Sequence, residues 1–137
     1  METVESNKEA VRRFNQEVIA SWNEESFQAL MHADFVNRSA PKGMDNGPQG
    51  MRYFFNEILR PALTDIKVTI HQQVAEADLV TTRKTISGRH TGTLLGITAT
   101  GNDIQIEVID IVRLENGKYI EHWGITTLPD LLANLSK

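Results

Sequence analysis

Apolar positions in the first third of the chain recur at helical spacing. Four of them lie three or four residues apart and therefore share one helix face: Val11, Phe14, Val18 and Trp22. Ser6 and Glu9 have the spacing of a capping box, which predicts that this helix begins near Ser6. A short second helix is predicted around Phe27 and Leu30, before an extended segment over residues 34–37.

The next stretch of the pattern combines a loop with a further helix. Residues 38–50 contain two prolines and three glycines, a composition typical of a loop. Pro48 suits the first turn of a helix, because its missing amide proton would have no helical partner there. Apolar residues from Met51 to Leu59 then form a wide stripe, and Pro61 is expected to end the helix.

After Thr64 the apolar period changes from that of a helix to that of a strand. The alternation predicts four strands, which cover Ile66–Ile70, Leu79–His90, Asp103–Leu114 and Tyr119–Thr126. Leucines between residues 128 and 135 indicate a short closing helix. Helices followed by antiparallel strands predict an α+β fold. We expect one domain over residues 1–137, a cone in which a curved sheet wraps around the N-terminal helices and leaves an open end for a small ligand.

Composition and charge narrow the classes of function. The chain of 137 residues has a net charge of −4, which argues against a nucleic-acid partner. It contains no cysteine, so disulfides, thiol nucleophiles and cysteine metal sites are excluded. No apolar run reaches the roughly 18 residues of a membrane span, and the polar N-terminus lacks the layout of a secretion signal. We therefore expect a cytoplasmic protein without a membrane partner.

Asp110 is the most informative polar residue, because it interrupts an apolar row of the third predicted strand. The residues that share its parity, at positions 104, 106, 108, 112 and 114, are all Ile, Val or Leu. A carboxylate in that row must be paired, hydrogen-bonded or neutralised, because burial without a partner raises its pKa. A raised pKa near the working pH is what a general acid or base needs. The alternative is a structural carboxylate that binds a hydroxyl group or an arginine.

The residue that faces Asp110 on the next strand depends on the hairpin turn. If Asn116-Gly117 is a two-residue type I′ turn, Asp110 lies opposite Trp123. If Glu115-Asn116-Gly117 is a three-residue loop, Asp110 lies opposite His122. We favour the second register because it also aligns apolar residues across the two strands. It predicts a carboxylate–histidine pair on the cavity face.

Motifs for metals and cofactors are absent from the sequence. The four histidines are scattered without the spacing of metal ligands. The glycines lack the spacing of a phosphate loop or a dinucleotide fingerprint, and no serine lies in a nucleophile elbow. We expect neither a metal nor a cofactor.

Four groups of residues form a series along the chain. They are Asp34-Phe35-Val36-Asn37, Gly88-Arg89-His90-Thr91-Gly92, Leu95-Gly96-Ile97 with Thr100-Gly101, and Asn116-Gly117-Lys118 with Glu121-His122-Trp123. Together they resemble the SnoaL-like polyketide cyclase family of the nuclear transport factor 2-like superfamily. The resemblance implies a cone-shaped α+β barrel, a deep apolar pocket and a homodimer formed through the sheet. It also implies ring closure of a polyketide ester by intramolecular aldol condensation, without cofactor or metal.

The same resemblance suggests site residues. Asn37, His90 and His122 match pocket residues of the family, and Asp110 falls where a cyclase has a pocket histidine. The family's acid/base aspartate follows the closing-strand histidine by two residues, a position that Gly124 holds here. We therefore hypothesise that Asp110 replaces the missing carboxylate.

Three functions are compatible with these residues. In the first, the protein is an enzyme that acts on a small apolar carbonyl compound, with Asp110 as acid/base and His122 as its proton-sharing partner. Asn37 and His90 would then donate hydrogen bonds to the substrate, and three residues would form apolar wall: Trp22, Phe54 and Trp123. In the second, the protein binds a small molecule without catalysis, because Gly124 has replaced the catalytic residue. In the third, the sheet face docks a partner through the apolar strip of Ile109 and Ile111.

Overall fold

The helices and strands of the computed structural model, which describes residues 2–137, follow the predicted order. Helix α1 (Val4–Arg13) continues into a π-helical segment, Phe14–Ala20, and is followed by α2 (Glu24–Leu30) and β1 (Met31–Asn37). A second helical run consists of α3 (Pro48–Arg52), the π-helical segment Tyr53–Leu59 and α4 (Arg60–Ala62). The remaining elements are β2 (Leu63–Glu76), β3 (Leu79–His90), β4 (Asp103–Glu115), β5 (Lys118–Thr126) and α5 (Leu128–Leu135).

The sheet has five strands in the order β1-β5-β4-β3-β2. Strand β1 is parallel to β5, and the other neighbours are antiparallel. The sequence pattern predicted β1 only as an extended segment, because seven residues between two irregular connections carry little periodicity. The helices are concentrated in the first half of the chain, and the sheet is curved and open. The predicted α+β class is therefore confirmed.

The core lies between the inner face of the sheet and the two helical runs. Along β4, residues at even positions from 104 to 114 are buried, whereas most of those between them are exposed. Helix residues Val11, Phe14 and Val18 are buried against this face, and the ring of Phe14 stacks on Tyr119 at 4.2 Å between centroids. Each such apolar side chain contributes about 1.5–3 kcal/mol of transfer free energy. The alternation predicted for β4 is confirmed, with Asp110 in its buried row.

The N-cap of the first helix lies three residues before the N-cap predicted from sequence, Ser6. Thr3 is the N-cap, and its hydroxyl oxygen accepts a hydrogen bond from the backbone N–H of Ser6. The Ser6 hydroxyl in turn accepts from the backbone N–H of Thr3. The capping box therefore joins Thr3 to Ser6, and the prediction that Ser6 and Glu9 form it is wrong. The serine hydroxyl at the third helical position accepts the hydrogen bond from the N-cap backbone N–H that a glutamate accepts in a usual capping box.

The hairpin between β4 and β5 has a two-residue turn. Glu115 pairs with Lys118, and both turn residues have positive φ, 53° at Asn116 and 75° at Gly117, as a type I′ turn requires. The three-residue loop that we favoured is therefore wrong.

A bulge in β5 then changes the register beyond that turn. Leu114 pairs with Tyr119 but Arg113 pairs with Glu121, so β5 contains one extra residue. As a result, Asp110 lies opposite Gly124, and both sequence-based alternatives for its partner are wrong. The bulge nevertheless leaves residues 122 and 124 on the same face as Asp110, because it shifts the alternation of β5 by one position.

Two kinds of feature are not found within residues 2–137. No helix there is both long enough and apolar enough to cross a membrane. The same residues contain no cluster of three or more His, Asp or Glu side chains placed to hold a metal ion.

Candidate active site

A cavity of about 400 Å³ lies between the inner face of the sheet and the second helical run. Its floor is the inner face of β3, β4 and β5, and its walls come from α3, the second π-helical segment, the loop after β1 and the start of α5. Most lining residues are apolar, including Met51, Phe54 and Phe55. The polar side chains of the lining are Asn37, Ser39, Asp45, Lys84, Asp110, His122 and Thr126.

Asp110 lies at the centre of the cavity floor and is 5% exposed. Its Oδ2 atom accepts a hydrogen bond from Lys84 Nζ at 3.2 Å and lies 3.4 Å from His122 Nε2. Its Oδ1 atom is buried and has no hydrogen-bond partner within residues 2–137. One carboxylate oxygen is therefore fixed by two basic groups, and the other is left with an unused lone pair.

Lys84 is a buried charged residue of the cavity floor that the sequence pattern did not single out. It lies on β3 diagonally across from Asp110, since Lys84 pairs with Val108. Lys84 is 3% exposed, and its Nζ also donates to Asn15 Oδ1 at 2.6 Å. Its parity with Val80 and Ile86 was the available signal, because a lysine in an apolar row is as unusual as an aspartate in one.

Asn15 holds Lys84 from the helical side of the core. It belongs to the π-helical segment Phe14–Ala20, where its side-chain amide donates to the carbonyl oxygen of Val11 at 2.9 Å. That bond leaves the amide oxygen of Asn15 directed at Lys84. The ammonium group therefore has two acceptors, and one of its three N–H bonds is unused within residues 2–137.

Asn37 fixes the tautomer of His122. The Asn37 Oδ1 atom accepts from the backbone N–H of Ser39 at 3.0 Å, which identifies this side-chain atom as the acceptor. His122 Nδ1 lies 2.9 Å from the same oxygen and must therefore donate its proton to it. The other ring nitrogen, Nε2, consequently faces the carboxylate of Asp110.

The 3.4 Å contact between His122 Nε2 and Asp110 Oδ2 is a hydrogen bond when Nε2 or the carboxyl group carries a proton. If His122 carried a proton on Nδ1 only, the lone pair of Nε2 would point at an ionised carboxylate. The pair avoids that repulsion only when Nε2 or the carboxyl group holds a second proton. An imidazolium beside a carboxylate, or a neutral imidazole beside a carboxylic acid, satisfies the geometry. A pair of this kind can both give and take a proton.

Electrostatics decides the direction of the Asp110 pKa. Burial raises the pKa of this carboxyl, as predicted from sequence, but the charge of Lys84 and the hydrogen bond from His122 lower it. The net shift is downward. The rise expected for a buried carboxylate without a partner does not occur, because Lys84 and His122 are partners of Asp110. The carboxyl group is therefore ionised at neutral pH, and its lowered pKa makes it a weaker base than a carboxylate with an ordinary pKa.

Gly124 keeps space open beside this pair. A Cβ atom added at Gly124 would lie 2.9 Å from His122 Cε1 and 3.5 Å from Asp110 Cβ. The backbone N–H of Gly124 donates to Ser39 Oγ at 2.8 Å, which anchors the loop after β1 to the floor. A side chain at this position would therefore point into the same site, in conflict with the present position of the His122 ring.

The structure brings together some of the predicted site residues and not others. Asp110, His122 and Asn37 form one hydrogen-bonded chain, and Phe54 lines the same cavity.

The other three predicted site residues lie outside the described lining of the cavity. Trp22 packs beside the guanidinium group of Arg52. His90 is fully buried at the end of β3, where its Nδ1 accepts from the backbone N–H of Thr100. Trp123 pairs with Ile111 on the opposite face of the sheet.

Comparison with known proteins gives a consistent result. The model of a family described as SnoaL-like polyketide cyclase matches residues 9–135. TsrD from Streptomyces laurentii is 24% identical over 98% of both chains, with a TM-score of 0.85. A protein of Jannaschia sp. CCS1, assigned as a SnoaL-like polyketide cyclase, is 21% identical over 99% of this chain and 96% of its own, with a TM-score of 0.84. IdmH from Streptomyces antibioticus is 21% identical over 96% of this chain and 99% of its own, with a TM-score of 0.81. A search of curated proteins finds no match.

Proposed function

Because this chain belongs to the SnoaL-like polyketide cyclase family, we propose that it catalyses acid–base chemistry on a small apolar carbonyl compound. The reaction is an aldol-type ring closure or a related isomerisation. The observation that carries this proposal is the Asp110–His122 pair, whose Oδ2 and Nε2 atoms lie 3.4 Å apart on the floor of an apolar cavity. Asp110 is the base, and His122 is the proton donor.

The proton inventory of the pair balances through one turnover. The carboxylate of Asp110 takes a proton from the carbon next to a carbonyl, and the C–H electrons form an enolate. The enolate carbon attacks a second carbonyl of the same molecule, which forms a C–C bond and an alkoxide. Nε2 of the His122 imidazolium protonates that alkoxide. The proton on Asp110 then passes to Nε2 across the 3.4 Å contact, which restores the starting state.

Three further features support this assignment. The Asp110 side chain lines the cavity, and its Oδ1 atom has no hydrogen-bond partner within residues 2–137. Asn37 orients the imidazole ring through Nδ1, so that Nε2 stays directed at the carboxylate. Most of the lining is apolar, and an apolar surrounding strengthens the electrostatic interactions of the polar groups inside the cavity.

The experiment that tests this function follows hydrogen exchange at carbon. The protein is incubated in D₂O with a panel of apolar aryl ketones and 1,3-diketones, and loss of the α-proton signal is measured by NMR. We expect exchange above the buffer rate, and we expect Asp110→Asn to reduce it by about 10²–10⁴-fold, the usual contribution of a general base. Asp103→Asn is the matched control, because Asp103 is an exposed carboxylate on the same strand. Equal rates in wild type and Asp110→Asn would overturn the assignment.

A binding protein without catalysis is the second candidate, and Gly124 is the observation that favours it. This function predicts ligand affinity without exchange or product. Ligand-induced chemical shifts in the wild-type protein, together with buffer-rate exchange for every compound bound, would establish it in place of the enzyme.

We also propose that the protein forms a homodimer through the outer face of the sheet. Ile109 and Ile125 pair across β4 and β5 on that face and are 52% and 79% exposed, and Ile111 lies beside them. Burial of this strip against a second copy would remove apolar surface from water. Sedimentation of wild type and Ile125→Glu tests the proposal, since a monomeric wild type would contradict it.

A further inference from the structure

The loop after β1, residues 38–47, closes on itself at its base. The backbone N–H of Asn37 donates to the carbonyl oxygen of Asn46 at 2.7 Å, so the two ends of the loop meet. Within the loop, the N–H of Met44 donates to the carbonyl oxygen of Pro41 at 3.0 Å. A surface loop whose ends meet in this way is a compact unit, and such loops frequently have a function.

This loop forms part of the cavity wall but is only lightly packed. Ala40, Pro41 and Met44 line the cavity, yet none of residues 38–47 is buried. Met44 also lines a groove between the loop and α3. A segment with few buried apolar contacts opens locally at a small cost in free energy. The closed position of the loop therefore depends chiefly on hydrogen bonds.

Two hydrogen bonds hold the start of the loop against β5, next to the Asp110–His122 pair. The backbone N–H of Arg38 donates to the carbonyl oxygen of His122 at 2.7 Å, and Ser39 Oγ accepts from the N–H of Gly124 at 2.8 Å. The backbone N–H of Ser39 also donates to Asn37 Oδ1 at 3.0 Å, and the same oxygen lies 2.9 Å from His122 Nδ1. Ser39 therefore contacts both the strand that forms the floor and the side chain that orients the His122 ring.

We propose that this loop is a hinged wall of the cavity, and that Ser39 is the positioning residue that couples its closure to the orientation of His122. In the closed loop, Ser39 holds Asn37 Oδ1 toward His122 Nδ1. When Ser39 leaves Gly124, the cavity is uncovered and the His122 ring loses its fixed orientation. Closure thus assembles the acid–base pair. The inference names a means of regulation for the proposed function, and it rests on that function for its effect on catalysis but not for the movement of the loop.

Amide hydrogen exchange tests the movement without a ligand, because opening of the loop as one body breaks the bonds to β5 and leaves the bond at its base. Ser39→Ala removes the hydroxyl acceptor of Gly124 and keeps the backbone of the loop. We expect the Arg38 amide to exchange about 3–10-fold faster in this variant, the equivalent of one net hydrogen bond. The Asn37 amide, which is bonded at the base, should change by less than twofold. Faster exchange at Gly124 alone would show a local bond and would overturn the hinged wall.

Two further variants are the controls for this measurement. Ser39→Thr keeps a hydroxyl group at the same position and should exchange at the wild-type rates. Lys42→Ala changes an exposed side chain at the tip of the same loop and should also behave as wild type. If Lys42→Ala accelerates exchange at Arg38 as much as Ser39→Ala does, the loop is held in a general way and the specific role of Ser39 is wrong.

The coupling to His122 has its own readout, ¹⁵N relaxation dispersion of the imidazole ring, which detects motion on the microsecond to millisecond timescale. We expect a larger exchange contribution at His122 Nδ1 in Ser39→Ala than in wild type, and the wild-type value in Ser39→Thr. An unchanged ring in a variant whose Arg38 amide exchanges faster would show that the loop moves without His122 and would overturn the positioning role.

This inference and the proposed function fail in different ways. If wild type catalyses α-hydrogen exchange but the Arg38 amide does not respond to Ser39→Ala, the inference is wrong and the proposed function stands. If Arg38 and His122 both respond but no compound undergoes α-hydrogen exchange, the inference is supported and the proposed function is contradicted.

Discussion

Lys84→Met should be one of the most destabilising single substitutions in the protein. It removes the ammonium group from Asp110 Oδ2 at 3.2 Å and from Asn15 Oδ1 at 2.6 Å. The carboxylate then remains buried with His122 as its one basic partner among the described residues. Removal of one partner from a buried ion pair typically costs about 3–5 kcal/mol. At roughly 3–5 °C per kcal/mol for a protein of this size, the melting temperature should fall by about 10–20 °C.

The pairing itself is measured by a double-mutant cycle with Asp110→Asn. Asp110→Asn also leaves an unpaired charge, in this case that of Lys84, whereas the double variant removes both charges. We therefore expect the double variant to be about 2 kcal/mol more stable than the sum of the two single effects predicts. Urea unfolding followed by circular dichroism gives each free energy of unfolding, and constant m-values would show that the unfolded state is unchanged.

Arg83→Met is the control for loss of a cation from β3 and should change the free energy of unfolding by less than about 0.5 kcal/mol. If the two single effects add to within about 0.5 kcal/mol, Lys84 and Asp110 are energetically independent. That outcome would refute the buried pair and, with it, the explanation for the lowered pKa of Asp110.

Three further predictions concern the neighbours of this pair. Gly124→Ala should displace the His122 ring, because the alanine Cβ would lie 2.9 Å from His122 Cε1. We expect slower α-hydrogen exchange and a large shift of the His122 ring signals, and unchanged ring signals would contradict the steric argument. Asp110 has a lowered pKa in the folded state, so its contribution to stability is full above the unfolded pKa near 3.9 and is lost as the pH falls below it. The difference in free energy of unfolding between wild type and Asp110→Asn should therefore shrink from about pH 6 to about pH 3, and a constant difference would show that the pKa is not lowered. Asn37→Ala should release His122 Nδ1, and ring ¹⁵N shifts should then report a mixture of tautomers, whereas an unchanged tautomer would remove Asn37 from its positioning role.

Local patterns predicted the elements well and their starting points less well. The alternation of β4 placed Asp110 in a buried row, and the Leu79–His90 strand was predicted with the bounds that the structure shows. The helix start was misplaced because Thr3 and Ser6 form a capping box without the usual acidic partner. Short polar residues form several such local bonds, and sequence alone does not rank them.

The partner of Asp110 could not be predicted, because it depends on a bulge. The turn chemistry of Asn116-Gly117 is local and indicates a two-residue turn, but the extra residue of β5 comes from the twist and packing of the whole sheet. His122 still reaches Asp110. The two-residue turn and the bulge each shift the register by one residue relative to the pairing we favoured, so His122 remains on the same face of the sheet as Asp110. The carboxylate–histidine contact that we expected is therefore present, although between residues that are diagonal rather than directly opposite.

Lys84 explains why the pKa of Asp110 is lowered although the carboxyl group is buried. Lys84 has the parity of a buried residue, but lysine is so often exposed that the pattern did not single it out. Its contact with Asn15 adds a helix residue that lies 69 positions away along the chain. Such contacts are decided by tertiary packing. Similarly, the motif around His90 matched the family, yet the fold places this side chain outside the described lining of the cavity.

The measurement that tests the central claim most directly is the protonation of the two His122 ring nitrogens, read from ¹⁵N shifts in wild type and Asp110→Asn. The shared proton requires Nδ1 to be protonated in every state, and it requires Nε2 to respond to the loss of the Asp110 carboxylate. A neutral ring with a proton on Nε2 and none on Nδ1 would contradict the account. The acid–base pair would then not follow from the geometry of the cluster.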